Sequence, residues 1–292
     1  MKVLLIQPPA RQIAKEDIVV PPLGIAYLAA VLERKGHEVC VLDAFAEMLD
    51  FNSLEGRIKS LSPDAVAITG MTPVIDNAYR AANIARKYAR HIIMGGPHVS
   101  VAGSKVFEQC PDVDYAVQGE GEIGFPLLID ALEYDKDITN IPGVITRDFS
   151  NPPSALIGEL DGIPFPARHL LPNERYRYIL SSGKVTTMFT SRGCPYHCVF
   201  CDKAVFGSKW RARSAANVLD EIELVRRDYG IDSIIFYDDL FTLDKKRVLE
   251  ICRGIIDRGL KIEWKCEGRV NLVDKENLIW MQRAGCSMIA YG

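Results

Sequence analysis

Short, wholly apolar runs alternate with amphipathic stretches along most of this chain, and that alternation constrains its fold more than any other feature. In the first half, Lys2–Gln7, Glu38–Asp43, Ala65–Thr69, His91–Met94 and Asp114–Gln118 read as strands. Between them, Gly24–Lys35, a stretch from about Asp76 to Arg90, and Glu122–Leu132 carry helical periodicity. Strands that are apolar on both faces and joined through helices belong to a parallel sheet covered on both sides.

Residues 1–149 are therefore expected to form a doubly wound, flavodoxin-like α/β domain. Residues 150–184 break the pattern with Asn151-Pro152-Pro153 and Ile163-Pro164-Phe165-Pro166, and read as an ordered linker. The alternation resumes over 185–292. Strands are expected at Val185–Thr190, Ser233–Tyr237, Lys261–Cys266 and Ser287–Tyr291, and helices at Ala215–Tyr229, Lys245–Arg258 and Lys275–Ala284. This gives about four βα units, and the series stops at Gly292 with no covering helix after the last strand. The fold class is α/β throughout, with no internal repeat.

Composition narrows the function. Hydrophobic residues make up 48% and charged residues 25%, as in ordinary globular chains, and a net charge of −3 gives no reason to expect nucleic-acid binding. The longest apolar stretch, Gly24–Leu32, is too short to span a bilayer, and the N-terminus does not read as a signal peptide, so a cytoplasmic protein without membrane partners is expected. Eight cysteines in such a chain do not make a disulfide scaffold. Cys40, Cys110, Cys252, Cys266 and Cys286 lie scattered and read mostly as small buried hydrophobes.

The other three stand in Ser191-Arg192-Gly193-Cys194-Pro195-Tyr196-His197-Cys198-Val199-Phe200-Cys201, spaced C-x₃-C-x₂-C directly after a strand. A cubane iron–sulfur cluster normally takes four cysteines. Three would leave one iron open for chemistry. A zinc site would need a fourth ligand, and His197 is next to Cys198, poorly placed to face the same ion. A redox pair of Cys198 and Cys201 would leave Cys194 unexplained.

This loop resembles the hallmark of the radical S-adenosylmethionine (radical SAM) superfamily, in which an aromatic residue, here Phe200, precedes the last cysteine. The resemblance implies that Cys194, Cys198 and Cys201 ligate a [4Fe-4S] cluster whose open iron is chelated by S-adenosylmethionine. One-electron reduction then cleaves the sulfonium to a 5′-deoxyadenosyl radical, with the electron supplied by a flavodoxin- or ferredoxin-type donor. Polar residues at strand C-terminal ends are where parallel barrels place their active sites. Asp238, Asp239, Glu267 and Arg269, with Phe200, are the candidates for S-adenosylmethionine contacts, the alternative for each charged residue being a solvated charge or salt bridge. The family's barrel has six βα units, so four imply a partial barrel and a fragment or truncated chain.

The first domain resembles the cobalamin (B12)-binding domain that precedes the radical module in one large subgroup. The resemblance rests on Gln7-Pro8-Pro9, Pro21-Pro22-Leu23-Gly24, Thr69-Gly70-Met71-Thr72, Gly95-Gly96-Pro97-His98 and Gly119-Glu120-Gly121-Glu122. It implies cobalamin contacts from Thr69, Gly70, Met71, Thr72, Gly95, Gly96, Pro97, His98, Gly119, Glu120 and Gly121. Glycines there would let backbone approach a large flat ring. The Asp-x-His-x-x-Gly loop of many cobalamin domains is absent, since that region reads Gln7-Pro8-Pro9-Ala10-Arg11. No protein histidine is expected on cobalt, His98 being rather a structural or tail contact. Gly119-x-Gly121-x-x-Gly124 also fits a dinucleotide fingerprint, but Glu120 and Glu122 would repel a pyrophosphate.

The reading is a cobalamin-dependent radical SAM enzyme, best matched by methyl transfer to an unactivated centre of an unidentified small molecule. Alternatives are a radical SAM cyclase or rearrangement enzyme with or without cobalamin, and a non-catalytic cobalamin carrier or sensor. No catalytic residue is assigned.

Overall fold

The computed structural model describes residues 1–10, 18–181 and 183–292; Arg11 of the Gln7–Arg11 stretch lies outside them. The described residues fall into two compact units. One draws on residues 1–10, Pro22–Leu156 and Pro164–Pro172, the other on residues 18–21, Ile157–Ile163, 173–181 and 183–292.

In chain order the first half contains β1 (Lys2–Gln7), β2 (Ile18–Val19), α1 (Leu23–Arg34), β3 (Glu38–Asp43), α2 (Phe51–Leu61), β4 (Ala65–Thr69) and α3 (Ile75–Ala85). β5 (His91–Gly95), α4 (Pro97–Ala102), α5 (Lys105–Gln109), β6 (Tyr115–Val117), α6 (Gly121–Glu133) and β7 (Val144–Ile145) follow. The sheet of the first unit runs β3-β1-β4-β5-β6-β7, parallel except for the last pair. Among its parallel strands this is the doubly wound order 2-1-3-4-5. Along β1 the side chains alternate between two cores. Leu4 and Ile6 pack with Leu54, Ile58 and Ala82, and Val3 and Leu5 pack with Ile25, Ala29 and Ile129. That two-sided burial is why the strand reads as one unbroken apolar run.

Two expected elements of the first half are shorter than read, and in the second half the strand Val185–Met188 stops short of the expected Thr190. The helix after β4 ends at Ala85 rather than Arg90, and the Arg86 guanidinium reaches forward to the carbonyls of Ala89 and Arg90 and to the Asp114 carboxylate at 2.7 Å. Arginine so placed satisfies carbonyls past the helix end. The strand at 114–118 pairs only over Tyr115–Val117.

The second unit holds β8 (Arg177–Tyr178), β9 (Val185–Met188), β10 (Ser191–Arg192), β11 (Arg211–Ala212), α7 (Ala215–Tyr229), β12 (Ser233–Phe236), α8 (Lys245–Asp257), β13 (Glu263–Gly268), α9 (Lys275–Arg283) and β14 (Cys286–Tyr291). β9, β12, β13 and β14 form a parallel sheet with each strand beside its chain neighbour, and β2 pairs with β8. The three helices start at side-chain caps, Ser214, Asp244 and Asp274, each accepting an N–H from the first turn. They cover one face of the sheet over Ile222, Val225, Val248, Ile251, Ile255 and Met281, with Phe236, Phe241 and Trp264 stacked between. Three of the scattered cysteines behave as expected: Cys110, Cys252 and Cys266 are buried, and burial pushes the Cys252 thiol up to about 12.

β13 covers Glu263–Gly268 instead of the expected Lys261–Cys266, because its pairing with β14 continues through Cys266, Glu267 and Gly268 opposite Ile289, Ala290 and Tyr291. The 150–184 stretch is not one linker. Ala167 is buried in the first unit's core, its N–H donating to the Ala26 carbonyl at 3.0 Å. Asp161 instead accepts the Ser214 N–H at 2.9 Å in the second unit. Its prolines suppressed the periodicity without preventing packing.

Candidate functional site

In the first unit the loops after β4, β5 and β6 lie side by side, at the strand ends where open α/β sheets bind ligands. Backbone bonds join the first two: Gly70 N–H donates to the Gly95 carbonyl at 2.8 Å and His98 N–H to the Gly70 carbonyl at 3.1 Å. Gly96 has φ +96, and a Cβ there would stand 2.6 Å from the Thr69 hydroxyl oxygen. The glycine is therefore required by loop-on-loop packing alone, before any ligand is considered. The fingerprint glycines are likewise spoken for. A Cβ on Gly124 would lie 2.2 Å from the Pro142 carbonyl oxygen, and one on Gly121 3.1 Å from Leu28.

Thr69, Met71, Thr72, Pro97 and His98 keep surface at these loops, and Met71 is half exposed. Glu120 is buried, so its carboxylate is not displayed to a ligand as the sequence suggested. His98 is held at both ring nitrogens, by Thr72 at 3.1 Å and by Tyr79 at 3.3 Å. Tyr79 and Ser100 were not singled out in the sequence. Nothing in their types or spacing marks them.

In the second unit the cysteine loop leaves the sheet through a two-residue ribbon, β10 against β11, which closes the base of the 193–210 loop. Gly193 sits at φ +80 with the Lys209 carbonyl oxygen 2.5 Å from where a Cβ would be, so no other residue fits this turn. Lys203 donates its ammonium to the carbonyls of Cys194, at 3.0 Å, and Tyr196. Cys201 N–H donates to the Cys198 carbonyl at 3.1 Å. Cys194 and Cys198 are half-buried, Cys201 is exposed, and all three are free thiols. Phe200 is 81% exposed.

The strand ends bring the other candidates to this loop, in different roles. Asp238 is 1% exposed. Its carboxylate accepts from the Thr190 N–H at 2.6 Å, from the Thr190 hydroxyl and from the Ser191 hydroxyl at 2.7 Å. It fixes the root of the loop and is not presented to a ligand, contrary to the expected contact. Asp239 accepts the Gly193 N–H at 2.9 Å while keeping an open flank. Arg269 stacks its guanidinium 4.0 Å over the Tyr196 ring and donates to the Cys198 sulfur at 3.5 Å. Withdrawal from water raises the pKa of both Asp239 and Glu267. Asp238 adds its charge in both cases, and Asp239 adds to Glu267. Two carboxylates at neighbouring strand ends thus favour an incoming cationic group.

The donor chemistry suits a cube. Among the described residues no three of His, Cys, Asp and Glu converge on one ion position, and His197 is exposed. A cubane takes each thiolate on a different iron. Three unpaired thiols on one pinned loop fit that arrangement.

Comparison with known proteins agrees with this geometry. A family model described as the B12 binding domain matches residues 13–129, and that of the Radical SAM superfamily matches residues 188–292. This chain is a radical SAM protein with a B12-binding domain ahead of the radical SAM domain. It is 37% identical over 301 residues to an uncharacterised methyltransferase of Pyrococcus horikoshii, matching 100% of this chain and 65% of the relative. It is 30% identical over 285 residues to the anaerobic magnesium-protoporphyrin IX monomethyl ester cyclase of Rubrivivax gelatinosus, matching 93% of this chain and 51% of that one. The fold superposes on OxsB, a cobalamin-dependent S-adenosylmethionine radical enzyme solved with aqua-cobalamin and S-adenosylmethionine. The TM-score is 0.84 at 19% identity, covering 100% of this chain and 43% of OxsB. The chain thus spans about half to two thirds of the relatives' length. No helix of the described residues is long and apolar enough to cross a membrane.

Proposed function

We propose that this chain carries the cofactor-handling part of a cobalamin-dependent radical SAM methyltransferase. The observation that carries the proposal is the pinned loop of three free thiols at the strand ends, with Arg269 on the Cys198 sulfur and two raised carboxylates beside it. When bound, a [4Fe-4S] cluster supplies the electron that cleaves S-adenosylmethionine, and cobalamin supplies the methyl group.

Cys194, Cys198 and Cys201 hold three corners of the cluster. Lys203, Asp239 and Asp238 keep their loop in place, the first two through its own backbone and Asp238 through its root. Asp239 and Glu267 favour the cationic amino-acid end of S-adenosylmethionine, which returns their pKa values toward the ordinary range. Arg269 offers guanidinium N–H groups to its carboxylate, and Phe200 offers an apolar ring to its nucleoside. The first unit holds cobalamin at the loops after β4, β5 and β6, without a histidine on cobalt. A flavodoxin- or ferredoxin-type protein supplies the electron, in the cytoplasm, and the substrate is a small molecule.

The methyltransferase relative supports methyl transfer. The cyclase relative favours ring formation as a second reading. Anaerobic purification with cobalamin present, then reconstitution and incubation with S-adenosylmethionine and a reductant, tests the proposal. A bound corrinoid spectrum together with 5′-deoxyadenosine is expected. No corrinoid would leave a radical SAM enzyme without cobalamin. Corrinoid without 5′-deoxyadenosine would leave a carrier or sensor.

A further inference from the structure

We infer that Ser100 and His98, both on the short helix α4, are positioning residues that lock the three loops of the first unit into one preformed cradle and thereby set its affinity for a corrinoid. The inference rests on the reading that this unit binds cobalamin. Ser100 bridges two loops: its hydroxyl donates to the Gly96 carbonyl at 3.2 Å and accepts the Gly119 N–H at 2.9 Å. His98 bridges the third. Its backbone N–H holds the Gly70 carbonyl, and its ring stands between Thr72 and Tyr79.

The tautomer follows from the far end of the chain. Tyr79 donates its O–H to the Gln109 side-chain carbonyl, so its oxygen is left to accept. His98 Nε2 therefore carries the proton, and Nδ1 accepts from the Thr72 hydroxyl. Four side chains from the β4–α3 loop, α3, α4 and α5 are joined in one directed line ending beside the half-exposed Met71. Loops held before the ligand arrives need no ordering when it binds, and that saving appears as affinity.

The test is titration of the full chain with hydroxocobalamin, followed by visible absorbance, on wild type, Ser100→Ala, His98→Ala and His98→Gln. Thermal unfolding of each is measured in parallel. Ser100→Ala and His98→Ala each remove two hydrogen bonds from the cradle, and each variant is expected to bind roughly five- to tenfold more weakly. His98→Gln, which keeps one donor and one acceptor, is expected to recover most of the loss, and the wild-type histidine to show the Nε2–H tautomer in its ¹⁵N shifts. Wild-type affinity in folded Ser100→Ala and His98→Ala overturns the inference alone, as does a loss that His98→Gln does not repair. A wild-type chain that takes up no corrinoid overturns the cobalamin reading, and this inference with it.

Discussion

Replacing Cys198 by Ala removes one of three thiols on the pinned loop, and reconstituted protein is expected to lose its four-iron content while the first unit stays folded. Iron and sulfide analysis checks this, and unchanged iron would refute the ligand assignment. Arg269→Ala removes a donor from the Cys198 sulfur. Hydrogen bonds to cluster sulfurs stabilise the more negative, reduced state. The variant's cluster is therefore expected to show a lower reduction potential in a redox titration followed by electron paramagnetic resonance. At this scale the sequence was legible where spacing alone carries the chemistry, as in the cysteines. It was not legible for Asp238 and Asp239. Adjacent carboxylates look alike in a string of letters, yet one turns inward to Thr190 and Ser191 while the other meets Gly193 and keeps an open flank. Lys203 was equally hidden, because its partners are main-chain carbonyls.

The strand ends of the second unit carry a charge conflict that pH should expose. The raised pKa of Glu267 means that the folded state takes up its proton more readily than the unfolded state. The associated stability is full below the ordinary carboxylate value of 4.5 and is lost as pH rises through the folded value. Glu267→Gln is accordingly expected to raise the melting temperature of the cofactor-free protein near neutral pH, with the gain disappearing toward pH 4. A gain that persists unchanged at low pH would contradict the assigned cause. In the first unit, Gly96→Ala forces a side chain into left-handed backbone against Thr69. It is expected to cost at least about 1–2 kcal/mol in urea unfolding from the backbone conformation alone. Elements with a continuous apolar run or an apolar helical stripe were legible: β1, β3, β4 and α7 occupy the expected residues. The helix α2 escaped notice because it buries only Leu54 and Ile58 of its eleven residues, too few for an apolar stripe. The β10–β11 ribbon is two residues a side, and its pairing depends on a long loop closing.

Across the whole chain, the two units are built on separate cores, and the proposed function gives each its own cofactor task. Hydroxocobalamin binding to Cys198→Ala is therefore expected to match wild type, and a parallel loss of corrinoid would contradict that separation. The order of the two domains was legible because the βα alternation lapses between them. The division of the 150–184 stretch was not, since contacts such as Ala167 with Ala26 join residues far apart in sequence.

The central claim is that Cys194, Cys198 and Cys201 grip three corners of a cube and leave the fourth to S-adenosylmethionine. Electron paramagnetic resonance of the anaerobically reconstituted, reduced protein, recorded before and after adding S-adenosylmethionine, tests it directly. The account predicts a reduced [4Fe-4S] signal whose g values shift on addition. A chain that assembles no such cluster, or one whose signal ignores the added nucleotide, would contradict it.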